Sequence, residues 1–492
     1  MIKKPNWLFY VVAIVLLLSG GWFFLFQRPI DSAKHPNIIF ILTDDLDLKL
    51  MPYMESVNSL IASQGAVFTN YFVTASTCCP SRASILRGQY PHNTGVFENS
   101  PGFATFYEKK DEKQTIATWL EKSGYRTSYL GKYLNLYPAG AERTYVPPGW
   151  DDWHVFLYGP SENFYYAYTM NENGKLVKYG KHEDEYSTDV IRHQALDFID
   201  ASVQKKSPFF LVVAAYAPHG PTRPALRHSQ LYEEIEYPKG ESFQEADISD
   251  KPAIIRELSQ TSGVFEIQDA DRLFRRRVQT MQSVDEMVAA LVQKLEQSGE
   301  LDNTYIIFTS DNGFHMGEHT LSSGKMLPYE EDIHVPLIIR GPGIQPGTTI
   351  EQITANIDIA PTLAELANAR TANFIDGRSL VPFLHSAQSG QISDTTWRES
   401  LLLEAGNLDR ESPVIAYRGI RTEKFVYVEY ENGELEYYDL AKDPYELQNL
   451  AGTLSDETLS TLHSWLEQLK SCQADECRKA EMIPFDGLQS LP

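Results

Sequence analysis

Three apolar runs constrain this chain more than any other feature: Asn37–Leu42 (NIIFIL), Pro208–Tyr216 (PFFLVVAAY) and Thr304–Thr309 (TYIIFT). None alternates polar with apolar residues, so each reads as a strand covered on both faces. Segments with helical spacing lie between them: Thr115–Lys122, ended by Gly124, then Ser187–Ala201, Arg272–Gln297 and Ile359–Ala367. Met51–Gln64, stopped by Gly65, predicts another helix, and Arg126–Leu130 and Val335–Arg340 predict further strands. Strands alternating with helices imply an α/β fold with a large, mostly parallel sheet sandwiched by helices.

The pattern changes after about residue 395. Leu401–Glu404, Val414–Arg421, Lys424–Tyr430 and Glu434–Tyr438 read as short strands, with a hairpin turn at Glu431-Asn432-Gly433 and a helix over Glu457–Lys470. The expected organisation is an N-terminal segment over 1–34, a large α/β domain over 35–395, and a smaller antiparallel subdomain over 396–492. Residues 221–270, rich in Glu, Pro and Ser, read as a long surface excursion near the mouth of a substrate site.

A formal net charge of -23 argues against a nucleic-acid partner, which would require a basic footprint. It leaves room for an anionic substrate held by local Arg and Lys. Lys3 and Lys4 precede an apolar run from Trp7 to Phe26, long enough to span a bilayer. The expectation is an exported protein, anchored with its body outside the cytoplasm, or secreted if the segment is removed. Of the four cysteines, Cys472 and Cys477 suit a small disulfide in such a compartment, with free thiols the alternative. Cys78 and Cys79 are adjacent, a geometry that strains a mutual bond, so they need another explanation.

Two of the buried strands end in oxygen-rich tips, Asp44-Asp45 and Asp311-Asn312. Ligands of open α/β sheets gather beyond such carboxyl ends. Three carboxylates and an amide are hard donors suited to Ca²⁺ or Mg²⁺. Taken singly, each pair also fits a loop cap or a turn. The sharper motif is Cys78-Cys79-Pro80-Ser81-Arg82, followed by Ala83-Ser84-Ile85-Leu86-Arg87-Gly88. Pro80 suits the first turn of a helix, which would put Cys78 beside unpaired backbone N–H groups that favour an anion.

This stretch resembles the sulfatase signature Cys-x-Pro-Ser-Arg, whose cysteine is oxidised after synthesis to formylglycine. The likeness extends to Gly131-Lys132-Tyr133, Ala217-Pro218-His219 and Lys325, and covers about Pro36 to Ala480. Within the family it is greatest to N-acetylglucosamine-6-sulfatases and the extracellular endosulfatases. The residues that carry it are Gly131-Lys132-Tyr133-Leu134-Asn135, Phe164–Lys175, Ser283–Gly317 and Ser471–Arg478. The endosulfatases' basic insertion is absent. Two positions depart from the wider pattern: Arg87 stands where Thr is usual, and Leu134 where arylsulfatases keep a histidine.

The resemblance implies an alkaline-phosphatase-like sheet and one Ca²⁺ on Asp44, Asp45, Asp311, Asn312 and the modified Cys78. It implies catalytic roles for Cys78, Arg82, Lys132, His219 and Lys325, and maturation by a formylglycine-generating enzyme. The implied substrate is a sulfated sugar, with glucosamine 6-sulfate of a glycosaminoglycan first. Hydrated formylglycine would offer one hydroxyl to attack sulfur and a second to expel sulfate, a covalent route in two steps. His315, His319 and Asn135 are further candidates for sugar contact, against plain loop roles. Competing readings are a phosphatase or phosphonate monoester hydrolase on the same scaffold, an inactive carbohydrate-binding surface protein, and a redox pair at Cys78-Cys79.

Overall fold

The apolar runs lie side by side at the centre of a ten-stranded sheet. Its order is Thr348–Ile350, Ala66–Phe68, Leu337–Arg340, Thr304–Ser310, Asn37–Asp44, Phe209–Pro218, Arg126–Gly131, Asp152–Phe156, Thr169–Glu172, Lys175–Lys178. The computed structural model describes residues 35–159, 164–261, 265–389, 397–406 and 415–483. From Thr304–Ser310 through Asp152–Phe156 the neighbours are parallel. Leu337–Arg340 is antiparallel to Thr304–Ser310, and Thr169–Glu172 is antiparallel to Asp152–Phe156, so the sheet is mixed towards both edges.

Every residue of Asn37–Asp44, Phe209–Pro218 and Thr304–Ser310 is buried, as uninterrupted apolar character requires. One face is covered by Ser187–Lys205 and the long helix Ile267–Gln297, whose apolar stripe includes Phe274, Val278, Met281 and Leu291. The other face receives the helices Cys78–Arg87, Ile116–Lys122 and Ile359–Leu366. A second sheet of four antiparallel strands, Ser400–Ala405, Tyr417–Thr422, Phe425–Tyr430 and Leu435–Asp439, follows, with the helix Asp456–Ser471. Its core residues Leu402, Val428 and Trp465 belong to the same apolar cluster as Phe40 and Ile307 of the large sheet.

Two expectations are corrected. Met51–Gln64 is not one helix. It breaks into the 3-10 turn Leu48–Tyr53, the π turn Val57–Ile61 and the 3-10 turn Ala62–Gln64. The backbone leaves helical geometry at Met54, with φ -102° and ψ 75°, which separates the first turn from the rest. Residues 221–270 are more than a surface excursion. They contain the helix Ala253–Thr261, and Ile255 is buried in the core shared with the small sheet. Lys251 is buried too, its Nζ donating to the carbonyls of Glu446 and Leu447 at 2.8 Å each. Cys472 and Cys477 are disulfide-bonded, while Cys78 and Cys79 are free thiols. Among the described residues no helix is long and apolar enough to cross a membrane. The run Trp7–Phe26, on which the anchor expectation rests, lies outside those residues.

Candidate active site

Four strand ends and one helix start meet at the carboxyl edge of the parallel sheet. Asn37–Asp44 delivers Asp44 and, in a left-handed turn at φ 66°, Asp45. Thr304–Ser310 delivers Asp311 and Asn312. Arg126–Gly131 ends in Gly131 at φ 97°, where a Cβ would lie 2.0 Å from the Ala214 carbonyl oxygen; only glycine lets the chain turn there and present Lys132. Phe209–Pro218 delivers His219. Cys78 begins the helix Cys78–Arg87, all of whose residues are buried. Of the backbone donors expected at that helix start, the Cys79 N–H is already taken, by Asn99 Oδ1 at 2.9 Å.

Cys78 Sγ lies 2.7 Å from Lys325 Nζ and 3.4 Å from Asp44 Oδ1. Lys132 Nζ is ion-paired with Asp44, and Lys325 Nζ with Asp45. Asp44, Asp45, Cys78 and His219 each bring one ligand atom within 4.8 Å of the others. Asp311 joins through two contacts: Oδ1 accepts from the Asp45 N–H at 3.2 Å, and Oδ2 accepts from Arg82 Nε at 2.6 Å. Arg82 also donates to the Lys132 carbonyl at 2.5 Å and stands 3.8 Å from Asp44. Asn312 Nδ2 donates to Asp45 Oδ1 at 2.7 Å. The structure therefore gathers Cys78, Arg82, Lys132, His219, Lys325, Asp44, Asp45, Asp311 and Asn312 in one place.

Charge explains how so many ionisable groups share a buried site. Burial alone would raise the Asp44 carboxyl, but Lys132, His219, Arg82 and Lys325 outweigh it and hold it far below the carboxylate range. Asp45 is likewise lowered, with Lys325 overcoming burial. Burial prevails at Asp311, pushed up to about 6 in spite of Arg82, and at the Cys78 thiol, pushed up to about 12. A plain thiol held protonated is a poor nucleophile. Lys132 and Lys325 stay cationic, raised by Asp44 and Asp45 against burial. Burial lowers His219, whose Nδ1 lies 2.6 Å from the Gly220 carbonyl oxygen.

The donor set suits a hard dication. Asn312 Oδ1 is buried and accepts no hydrogen bond, an oxygen left over in a site of carboxylates. Asp44, Asp45, Asp311 and Asn312 are the oxygen ligands that Ca²⁺ takes.

A cleft opens beside His219, lined by Asn99, Ser100, Asn135, Tyr158 and Tyr216. Asn135 thus faces the cleft, with a buried Oδ1 that has no partner. His315 and His319 do not. Both are buried and paired with carboxylates, Asp332 at 2.8 Å and Glu245 at 2.7 Å. Leu134 is a core residue, and Arg87 donates to Gln89 and the Asp111 carbonyl at the far end of its helix.

Three further residues, outside the motifs, shape the site. Arg277 donates to the Asp45 carbonyl at 2.5 Å and Asp47 at 2.7 Å while only 1% exposed. Its signal was present: it stands on the apolar stripe between Phe274 and Val278, where a charge needs a buried partner. Asn99 and Tyr158 lie in loops with no periodicity and carried no signal.

The sulfatase family model matches residues 36–369, and the model for the C-terminal region of N-sulphoglucosamine sulphohydrolase matches residues 317–472. The chain is similar to human N-acetylglucosamine-6-sulfatase, at 35% identity over 506 residues, spanning 95% of this chain and 90% of that one. An extracellular sulfatase homologue of Caenorhabditis elegans is 39% identical over 384 residues; this match spans 76% of this chain and about half, 53%, of the relative. A solved structure described as a complex with its substrate D-glucosamine-2-N,6-O-disulfate superposes with a TM-score of 0.75 at 27% identity, covering 91% of this chain and 99% of that one. Other solved sulfatases share the alkaline-phosphatase-like architecture. With the family model matching most of the chain and the motif residues converging at one sheet edge, the chain belongs to the sulfatase family.

Proposed function

We propose that this sulfatase removes the 6-O-sulfate of glucosamine in a glycosaminoglycan, using formylglycine made from Cys78 and Ca²⁺ on Asp44, Asp45, Asp311 and Asn312, with the modified side chain at 78 as a further ligand. The observation that carries the reading is the placement of the Cys78 side chain between Lys325 and Asp44. The sugar is supported by the human relative's name and by the glucosamine disulfate of the solved complex. Calcium, when bound, supplies a Lewis acid for a sulfate oxygen, and formylglycine supplies the hydroxyl nucleophile that the protonated thiol lacks.

The chain's own residues do the rest. Lys132 and Lys325 offset the charge of the sulfate ester and hold it in line with position 78. Arg82 ties Asp311 to the Lys132 carbonyl, so the two strand tips keep their spacing. His219, at the cleft, regains basicity beside an anionic sulfate and protonates the leaving sugar oxygen. Asn135 and Tyr158 line the space next to it, where a sugar ring would lie. Residues 35–395 act as the catalytic domain, and residues 396–492 form the supporting subdomain. Export fits the Cys472–Cys477 disulfide, with Trp7–Phe26 as the export and anchoring segment and a formylglycine-generating enzyme as the maturing partner.

The test is sulfate release from glucosamine 6-sulfate, from glucosamine sulfated at other positions, and from a matched phosphate ester. The 6-sulfate should exceed the others in kcat/KM by about tenfold or more, the lower end of what pocket contacts discriminate. Faster turnover of the phosphate would replace this reading with a phosphatase. Binding without release would replace it with a carbohydrate-binding protein.

A further inference from the structure

A second cluster of donor atoms shares no residue with the active site. His319, Glu331 and Glu446 each bring one ligand atom within 4.8 Å of the others. His319 and Glu446 are each 1% exposed. His319 Nδ1 lies 2.7 Å from Glu245 Oε2, which fixes that nitrogen as the donor and leaves Nε2 with its lone pair. Nε2 is buried and has no hydrogen-bond partner. Glu446 Oε1 is in the same condition, while its Oε2 accepts from the Glu330 N–H at 3.0 Å. Neither Glu331 nor Glu446 forms an ion pair among the described residues; the nearby Lys251 is committed to backbone carbonyls and to Glu245 and Asp250. Burial raises the Glu331 carboxyl to about 7 and the Glu446 carboxyl well above its ordinary range, so two buried lone-pair atoms facing one carboxyl need a proton or a cation between them.

A carboxylate that orients one ring nitrogen so that the other bears a lone pair is the arrangement found behind metal-bound histidines. An imidazole with carboxylates suits a borderline transition-metal ion, unlike the all-oxygen set at Asp44 and Asp45. We propose that His319, Glu331 and Glu446 supply three ligands to a zinc ion, with Glu245 orienting His319 and the fourth position open. Zinc takes N and O ligands at about 2.0–2.2 Å, so the three side chains close on it by small rotations. The ion joins three parts of the chain: the loop after Asp311-Asn312, the start of the short helix Glu330–Ile333, and the turn after the strand Leu435–Asp439. Lys325 lies between His319 and Glu331 in sequence, so zinc would brace the segment that carries it against the small sheet.

Elemental analysis of the dialysed full-length enzyme tests this. The wild type should hold one zinc equivalent more than His319→Ala, and chelator-treated wild type resupplied with Ca²⁺ should recover its remaining loss of Tm only on adding Zn²⁺, which should leave the variant unchanged. Should His319→Ala fail to fold, Glu446→Gln keeps the shape of the site. Chelator-treated wild type titrated with Co²⁺ should show d–d absorption bands of histidine and carboxylate coordination that Glu446→Gln lacks. Equal zinc content in wild type and His319→Ala, or Co²⁺ spectra unchanged by Glu446→Gln, would overturn the site.

Discussion

At the scale of single residues, the active site is a problem in charge balance. Asp44, Asp45, Asp311, Arg82 and Lys132 are almost wholly buried, and an uncompensated charge there is costly. Lys325 answers Asp45 and faces Cys78 as well. Lys325→Ala should lower kcat by about 10²–10³ with a smaller change in KM, the loss seen when a preorganised donor is removed; steady-state kinetics checks it. Arg82→Lys should cost as much, because a point charge cannot span Asp311 and the Lys132 carbonyl together. The same residues were the legible ones. Cys78, Arg82 and the acidic tips declared themselves because reactive or ligating residue types recur at fixed spacing. The place of Arg277 on an apolar stripe shows that it needs a buried partner but not which one, and Asn99 gives no sign of Cys79, which lies two helices back along the chain.

At the scale of elements, the site is as good as the strand ends that present it. Gly131→Ala would press a Cβ into the Ala214 carbonyl at the turn before Lys132. A loss of more than about 3 kcal/mol is expected, in the range of severe backbone conflicts, measured by urea unfolding. A second junction is pH-sensitive. His92 packs between Glu404 of the small sheet, at 2.9 Å, and the Cys472 carbonyl, also at 2.9 Å. Burial would lower its ring, but Glu404 prevails and pushes it up to about 9. The unfolded value is about 6.5. The pair's contribution, on the order of 3 kcal/mol at about 1.4 kcal/mol per pH unit, is therefore complete below about pH 6.5 and lost as pH rises through 9. Unfolding free energies at pH 6.5 and 9.5 should differ in the wild type and less in His92→Gln. Elements were legible where one period dominated, as in Phe209–Pro218. The helix Ala253–Thr261 was not, because the Glu, Pro and Ser around it mask a short apolar face that only the small sheet reveals.

At the scale of the whole molecule, the large and small sheets share one apolar cluster. Chelation with EGTA should lower both turnover and Tm, and Ca²⁺ should restore turnover and part of the Tm, because a ligand bound only by the folded state adds to its stability. Loss of turnover without any change in Tm would leave calcium outside the fold's energetics. The central claim is that position 78, set between Lys325 and Asp44, bears an oxidised side chain that does the chemistry. Mass spectrometry of the peptide containing Cys78, from active enzyme purified from its native host, tests this most directly. The account predicts the aldehyde, or its hydrate, in place of the thiol, in proportion to specific activity. An unmodified thiol at position 78 in fully active enzyme would contradict it.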